Sequence, residues 1–173
     1  MSRSQKKIDK INFEIFTLTY GEIVTTLLKD YEDVEEVNNQ LDKMGYSMGI
    51  RMVDEFLAFT GLNKCSDFRD TADAIANKAF PLFLGFPAGI QNFDEKKKEF
   101  SLVLDQNPLI EFVELPPKYK GLFYCNILCG IIRGSLEMLQ IDVEAKYKKC
   151  VLRGDERSEI FISLKQDPKK GDK

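Results

Sequence analysis

Cys65-Ser-Asp-Phe-Arg-Asp-Thr-Ala-Asp-Ala-Ile-Ala-Asn-Lys-Ala-Phe-Pro-Leu-Phe-Leu-Gly-Phe86 is the stretch from which the fold of this chain is read. Ser66 or Asp67 can cap a helix there, Asp70 sits in its first turn, and Phe68, Ala72, Ile75, Ala76 and Ala79 recur at helical spacing on one face. After Leu84 to Pro87 the period changes from 3.6 to 2. Gly89 to Asp94 reads as a strand, Glu95-Lys-Lys-Lys-Glu99 as a polar hairpin tip, and Phe100, Leu102 and Leu104 as the inner face of a second strand.

Working outward, Asn107-Pro108 can start a short helix through Leu115 that Pro116-Pro117 stops. Gly121 to Gln140 reads as the most buried helix, with Arg133 and Glu137 placed for an i, i+4 ion pair. Ile141, Val143, Ala145 and Tyr147 then alternate with charged residues, and Ile160, Ile162 and Leu164 follow the turn Arg153-Gly-Asp-Glu-Arg157, which describes a second hairpin. Upstream, order begins near Phe13, and Thr19-Tyr-Gly-Glu22 has the form of a capping box opening a helix. Asp33 with Glu36 repeats the device, and an apolar seam from Val34 through Leu41, Met44, Met48, Met52 and Phe59 runs to Thr60, with Gly61 as C-cap; this helix is about 40 Å long. The order helices, hairpin, helices, hairpin predicts a single α+β domain over residues 12–165, with a four-stranded antiparallel sheet of two hairpins covered on one face by helices.

Two features of the long helix and the quoted stretch concern function. Gly45 and Gly49, one turn apart, admit a second helix at close range, from within the chain or from a second chain. Cys65 stands at a helix entrance between Lys64 and Ser66, with Arg69 near in sequence, where a thiolate is favoured; a small residue at a helix entrance is the plain alternative. The face of alanines behind it is apolar and thin, so another helix or a ligand must fill the space beside it.

Composition narrows the chemistry. Residues 1–11 read as a flexible basic arm with Arg3, Lys6, Lys7 and Lys10, and residues 166–173 as a flexible lysine-rich tail. Without residues 1–10 and 168–173 the body carries 18 basic and 26 acidic residues, which argues against nucleic-acid binding. The chain has no histidine, which removes Ser-His and Cys-His catalysis and His-ligated metals. A cysteine enzyme would need Lys64, Asp67 or another unusual base. Cys65, Cys125, Cys129 and Cys150 include no C-x-x-C pair, no metal site is expected, and the absence of a signal peptide predicts a cytoplasmic chain with reduced thiols.

Phe16-Thr-Leu-Thr-Tyr-Gly21, Gln40-Leu-Asp-Lys-Met-Gly-Tyr46, Cys65 to Phe80, Phe100-Ser-Leu to Glu114-Leu-Pro116, and Leu128-Cys-Gly-Ile-Ile-Arg-Gly134 with Leu136-Glu-Met138 resemble the Bet-three family of subunits of TRAPP, the transport protein particle. The resemblance runs through most of residues 13–164. It implies a two-layer α/β plait without an active site of its own, acting as a core adaptor subunit of a vesicle-tethering complex between endoplasmic reticulum and Golgi. It implies location in the cytoplasm, peripheral to cis-Golgi and endoplasmic reticulum membranes. Partners would be other TRAPP subunits, through a heterodimer with a paralogous plait subunit or a homodimer when isolated, and a Rab GTPase through the assembled complex. Leu41, Met44, Gly45, Met48, Gly49 and Met52 are the expected subunit interface. The resemblance also implies a palmitoyl thioester on Cys65, its chain buried in a tunnel lined by Phe68, Ala72, Ile75, Ala76, Ala79, Phe83 and Leu84. Two departures stand out: Pro81 falls where the third helix should continue, and the tail after Leu164 is short and lysine-rich rather than acidic. A small-molecule sensor domain of the vinyl-reductase regulator type is the alternative with a similar plait and pocket.

Overall fold

Four antiparallel strands form one sheet in the order β1-β2-β4-β3 in the computed structural model, which describes residues 12–62 and 65–165. The strands are β1 Gly89–Asp94, β2 Glu99–Leu104, β3 Val143–Lys149 and β4 Ser158–Leu164. Each hairpin pairs within itself, and β2 against β4 joins the two, with Phe100 opposite Ile162 and Leu102 opposite Ile160. The period of two sets the faces. Phe100, Leu102, Leu104, Val143, Tyr147, Ile160 and Ile162 are buried toward the helices, while Glu144, Lys146 and Lys148 of β3 are exposed. The expected α+β class, with two hairpins forming the sheet, is the observed one. The basic arm and the lysine-rich tail lie outside the described residues.

Helix α1 is Phe13–Asp30, capped by Asn12, whose Oδ1 accepts the Glu14 N–H at 2.8 Å. The capping box expected at Thr19 is therefore corrected. Thr19 lies within the helix and its hydroxyl donates back to the Ile15 carbonyl at 2.7 Å, because Asn12 already supplies the cap two turns earlier. Helix α2 is Val34–Thr60, with Asp33 as N-cap and Gly61 at φ 66° as its left-handed C-cap. Helix α3, Phe68–Ala74, passes through a π turn at Ile75–Ala79 into α4, Phe80–Phe83. Pro81 does not end the helix, since it falls in the first turn after the π turn, where its missing N–H is tolerated.

Helix α5 is Ile127–Met138, six residues shorter at its start than the apolar run suggests. Residues 121–126 turn instead, with Leu122 N–H on the Tyr119 carbonyl and the Asn126 side chain donating to the Asn38 carbonyl, both at 2.8 Å. The expected helix from Asn107 to Leu115 is one 3-10 turn, Pro108–Ile110, capped by Asn107.

Helices α2 and α5 cross backbone to backbone. A Cβ at Gly45 would lie 2.8 Å from the Ile127 carbonyl carbon, one at Gly49 2.9 Å from Ser135 N, and one at Gly130 2.6 Å from Tyr46 N; a Cβ at Gly134 would overlap the Tyr46 carbonyl. Only glycine permits this approach. The placing of Leu41, Gly45 and Gly49 in a subunit interface is corrected accordingly: all three are buried, and the glycines are consumed by a crossing inside the chain. The expected Arg133–Glu137 pair is also replaced. Arg133 on α5 pairs with Asp42 on α2, because the close crossing brings that carboxylate within reach.

Candidate functional site

An apolar cavity of about 930 Å³ lies among α1, α2, the α3–α4 segment and α5. Its size is near the upper end for small-molecule sites. Phe16, Tyr20 and Ile23 line it from α1, and Met44, Met48, Met52 and Phe56 from α2. Ile127, Ile131 and Leu136 of α5 close another wall. The α3–α4 segment runs the length of the sheet beside it. At one end Phe68 packs on Phe100 of β2, near the first hairpin's tip, with ring centroids 5.3 Å apart; at the other Phe80 meets Phe86, just before β1, edge to face at 5.8 Å.

Of the tunnel residues expected from the sequence, Phe68, Ile75, Ala79, Phe83 and Leu84 line this cavity. Ala72 and Ala76 do not, and are corrected: both are fully buried in the core, and Ala76 offers its carbonyl to the Ala88 N–H at 3.0 Å. Thr71 and Ala74 stand on the wall instead, and where the π turn ends both Ala79 and Phe80 do. A strict 3.6 period could not show the adjacent pair Ala79 and Phe80, because the π turn adds a residue. Met44, Met48 and Met52 also belong to the cavity wall, spaced i, i+4, i+8 on α2; their spacing was legible, but which surface they faced was not. Methionine is an adaptable lining for a cavity of irregular shape.

Cys65 opens onto the cavity, followed by Ser66 and Asp67. The local turn is fixed by carboxylates: Asp67 caps α3 by accepting the Asp70 N–H at 2.7 Å, and Asp70 in return accepts the Ser66 N–H at 3.1 Å. Arg69, read as a cation beside the thiol, has its guanidinium 4.7 Å above the Phe93 ring, so it is engaged elsewhere. Lys64 lies outside the described residues. Lys98 at the hairpin lines the cavity and pairs with Glu95.

Cys65 differs from the other three thiols in access to solvent. It is partly exposed, whereas Cys125, Cys129 and Cys150 are buried. Burial pushes Cys125 up to about 12 and raises Cys129 and Cys150, which keeps those thiols protonated and unreactive. No group of residues suited to a metal ion occurs among the described residues, and no helix there is long and apolar enough to cross a membrane.

Residues 16–163 match the family described as transport protein particle (TRAPP) component. The chain belongs to that family. Among TRAPP proteins, trafficking protein particle complex subunit 3 of Dictyostelium discoideum is 53% identical over 92% of this chain and 87% of that protein. Subunit BET3 of Saccharomyces cerevisiae is 46% identical over 92% of this chain and 84% of that one. A crystal structure of a TRAPP subunit 3 from Naegleria fowleri, covalently bound to palmitic acid, superposes with a TM-score of 0.87 at 52% identity, over 91% of this chain and 98% of that one. The phenol-responsive sensory domain of the transcription activator PoxR superposes at 0.59 with 13% identity, over 92% of this chain and 77% of that domain, a likeness of fold alone.

Proposed function

We propose that this TRAPP component is a core adaptor subunit of a vesicle-tethering complex in transport from endoplasmic reticulum to Golgi, and that Cys65 carries a palmitoyl thioester whose chain occupies the cavity. The observation that carries the reading is the junction of a partly exposed thiol with a cavity of about 930 Å³ whose wall is almost wholly apolar. The covalent palmitate of the 52% identical relative supports it. Each buried methylene is worth about 0.8 kcal/mol, so some fifteen carbons contribute roughly 12 kcal/mol gross. A chain held inside in this way stabilises the fold and does not anchor the protein in a bilayer.

In this reading residues 12–165 form the folded unit, flanked by the basic arm and the lysine-rich tail. The subunit sits on its membranes peripherally and through its complex, and supports nucleotide exchange on a Rab GTPase only as part of that assembly, with no catalytic site of its own. It pairs with a paralogous plait subunit, or with itself when isolated. With Gly45 and Gly49 used inside the chain, the outer side of α1 and α2 is the surface for this pairing, where Ile15 is 63% exposed and Leu18 69%.

Intact mass of the protein isolated from cells, before and after hydroxylamine, tests the thioester. The wild type is expected to lose one acyl mass on treatment, Cys65→Ser to carry none while still assembling with a lower Tm, and Ala79→Leu to keep a free thiol because the added methyl groups occupy the acyl volume. A wild type without hydroxylamine-sensitive mass, or an Ala79→Leu variant acylated to the same extent, refutes the buried-lipid reading.

A further inference from the structure

We infer that residues 1–11 fold back onto the surface around Phe112, with Ile8 against the phenylalanine ring and Lys7 and Lys10 on the carboxylates of Glu111 and Glu114. The chain then covers its own exposed aromatic side chain, independently of the reading of Cys65. Phe112 is 65% exposed, more than any other phenylalanine among the described residues. Its outward position is fixed from below. Leu109 is buried, while Ile110, Val113 and Leu115 pack against the core. The Glu111 N–H on the Pro108 carbonyl and the Val113 N–H on the Ile110 carbonyl close the turn that carries the ring. Glu111 and Glu114 are exposed on either side of it, and neither enters an ion pair among the described residues. Lys118, the nearest cation along the chain, lies over the Tyr119 ring instead, 4.5 Å from its centre.

Charge, spacing and reach select the occupant. The arm holds Arg3, Lys6, Lys7 and Lys10 against Asp9 alone. Lys7 and Lys10 are three residues apart with Ile8 between them, as Glu111 and Glu114 are three apart with Phe112 between them. One aliphatic side chain and two cations thus meet one aromatic ring and two carboxylates. The arm also joins the fold beside this surface. Asn12 caps α1, and five residues on, Thr17 Oγ1 donates to the Pro108 carbonyl at 3.5 Å. From Thr17 back to Asn12 the helix covers about 7.5 Å. Eleven extended residues span up to about 36 Å, enough to reach Phe112 from there. Exposed ion pairs of this kind are screened, so the contact weakens as ionic strength rises.

Hydrogen exchange of the full chain, read by NMR, tests the contact. At low salt the amides of residues 7–10 are expected to exchange at least about tenfold more slowly than in a free peptide of residues 1–11. At about 0.5 M sodium chloride the protection should fall several-fold. Phe112→Ser, and the pair Glu111→Lys with Glu114→Lys, should each return the arm to the free-peptide rate. Adding Lys7→Glu and Lys10→Glu to that pair should restore protection. Phe112, Glu111 and Glu114 are all exposed, so the variants keep the fold. A wild-type arm that exchanges at the free-peptide rate overturns the inference, as does protection that survives Phe112→Ser. Protection lost in Leu18→Glu would place the arm on α1, and protection that grows with protein concentration would place it on a second copy. Either result overturns the contact with Phe112.

Discussion

Cys125, Cys129, Tyr20 and Tyr147 form a buried set of weak acids that the folded chain keeps neutral, all raised chiefly by burial. For Cys125 the shift runs from 9.0 to about 12. The unfolded chain releases this proton above pH 9 and the folded chain does not, so its contribution to stability is complete below pH 9 and is lost as pH rises toward 12. Each such group weakens the folding equilibrium by about tenfold per pH unit in that window. Tm is therefore expected to hold steady up to about pH 9 and then fall, with a shallower fall in Cys125→Ala. Circular dichroism melts across pH 7 to 11 check this; an identical slope in the variant would show that the thiol does not participate. At this scale the sequence offered the cysteine positions and the missing histidine, and from these Cys65 could be singled out. Cys125 and Cys129, one helical turn apart in an apolar run, were also legible as core cysteines, and both are buried.

At the scale of elements, the four glycines of the α2–α5 crossing set how closely the helices lie. Gly130→Ala places a methyl group against the Tyr46 backbone, which cannot yield as a side chain would. A loss of about 3 kcal/mol or more is expected from this overpacking. Gly61→Ala is the comparison: at φ 66° with nothing within 4 Å, it should cost only about 1 kcal/mol of left-handed backbone strain. Denaturant midpoints of the two variants distinguish the mechanisms, and equal losses would contradict the crossing. The elements that were legible are those with a clean period and a cap: α2 between Asp33 and Gly61, and both hairpins. The start of α5 and the π turn were not, because a continuous apolar run at Gly121 to Ile132 gives no sign of a turn, and a π turn shifts the helical period without changing the residues.

The whole molecule leaves an apolar outer side on α1 and α2 that its own core does not use, with Ile15 and Leu18 among its most exposed large side chains. Light scattering on the purified chain is expected to give the mass of a dimer, and Leu18→Glu to return a monomer of unchanged Tm, because the residue contributes little to the fold. A wild-type monomer that also binds no paralogous subunit would refute this interface.

By itself the sequence determined the class of the fold, since a change of hydrophobic period from 3.6 to 2 and back dictates which segments can bury one face as helix or strand. It also determined the reactive candidate, Cys65, and the membership in the TRAPP component family that Cys65 to Phe80 and the α5 motif carry. Tertiary structure decided how surfaces that look alike in sequence were spent. Gly45 and Gly49 went to an internal crossing, Met44, Met48 and Met52 to the cavity wall, and Ala72 and Ala76 to the core behind it. The reason is physical: periodicity states that a face is apolar, but whether another helix, the sheet or an empty volume lies against it depends on how distant elements pack.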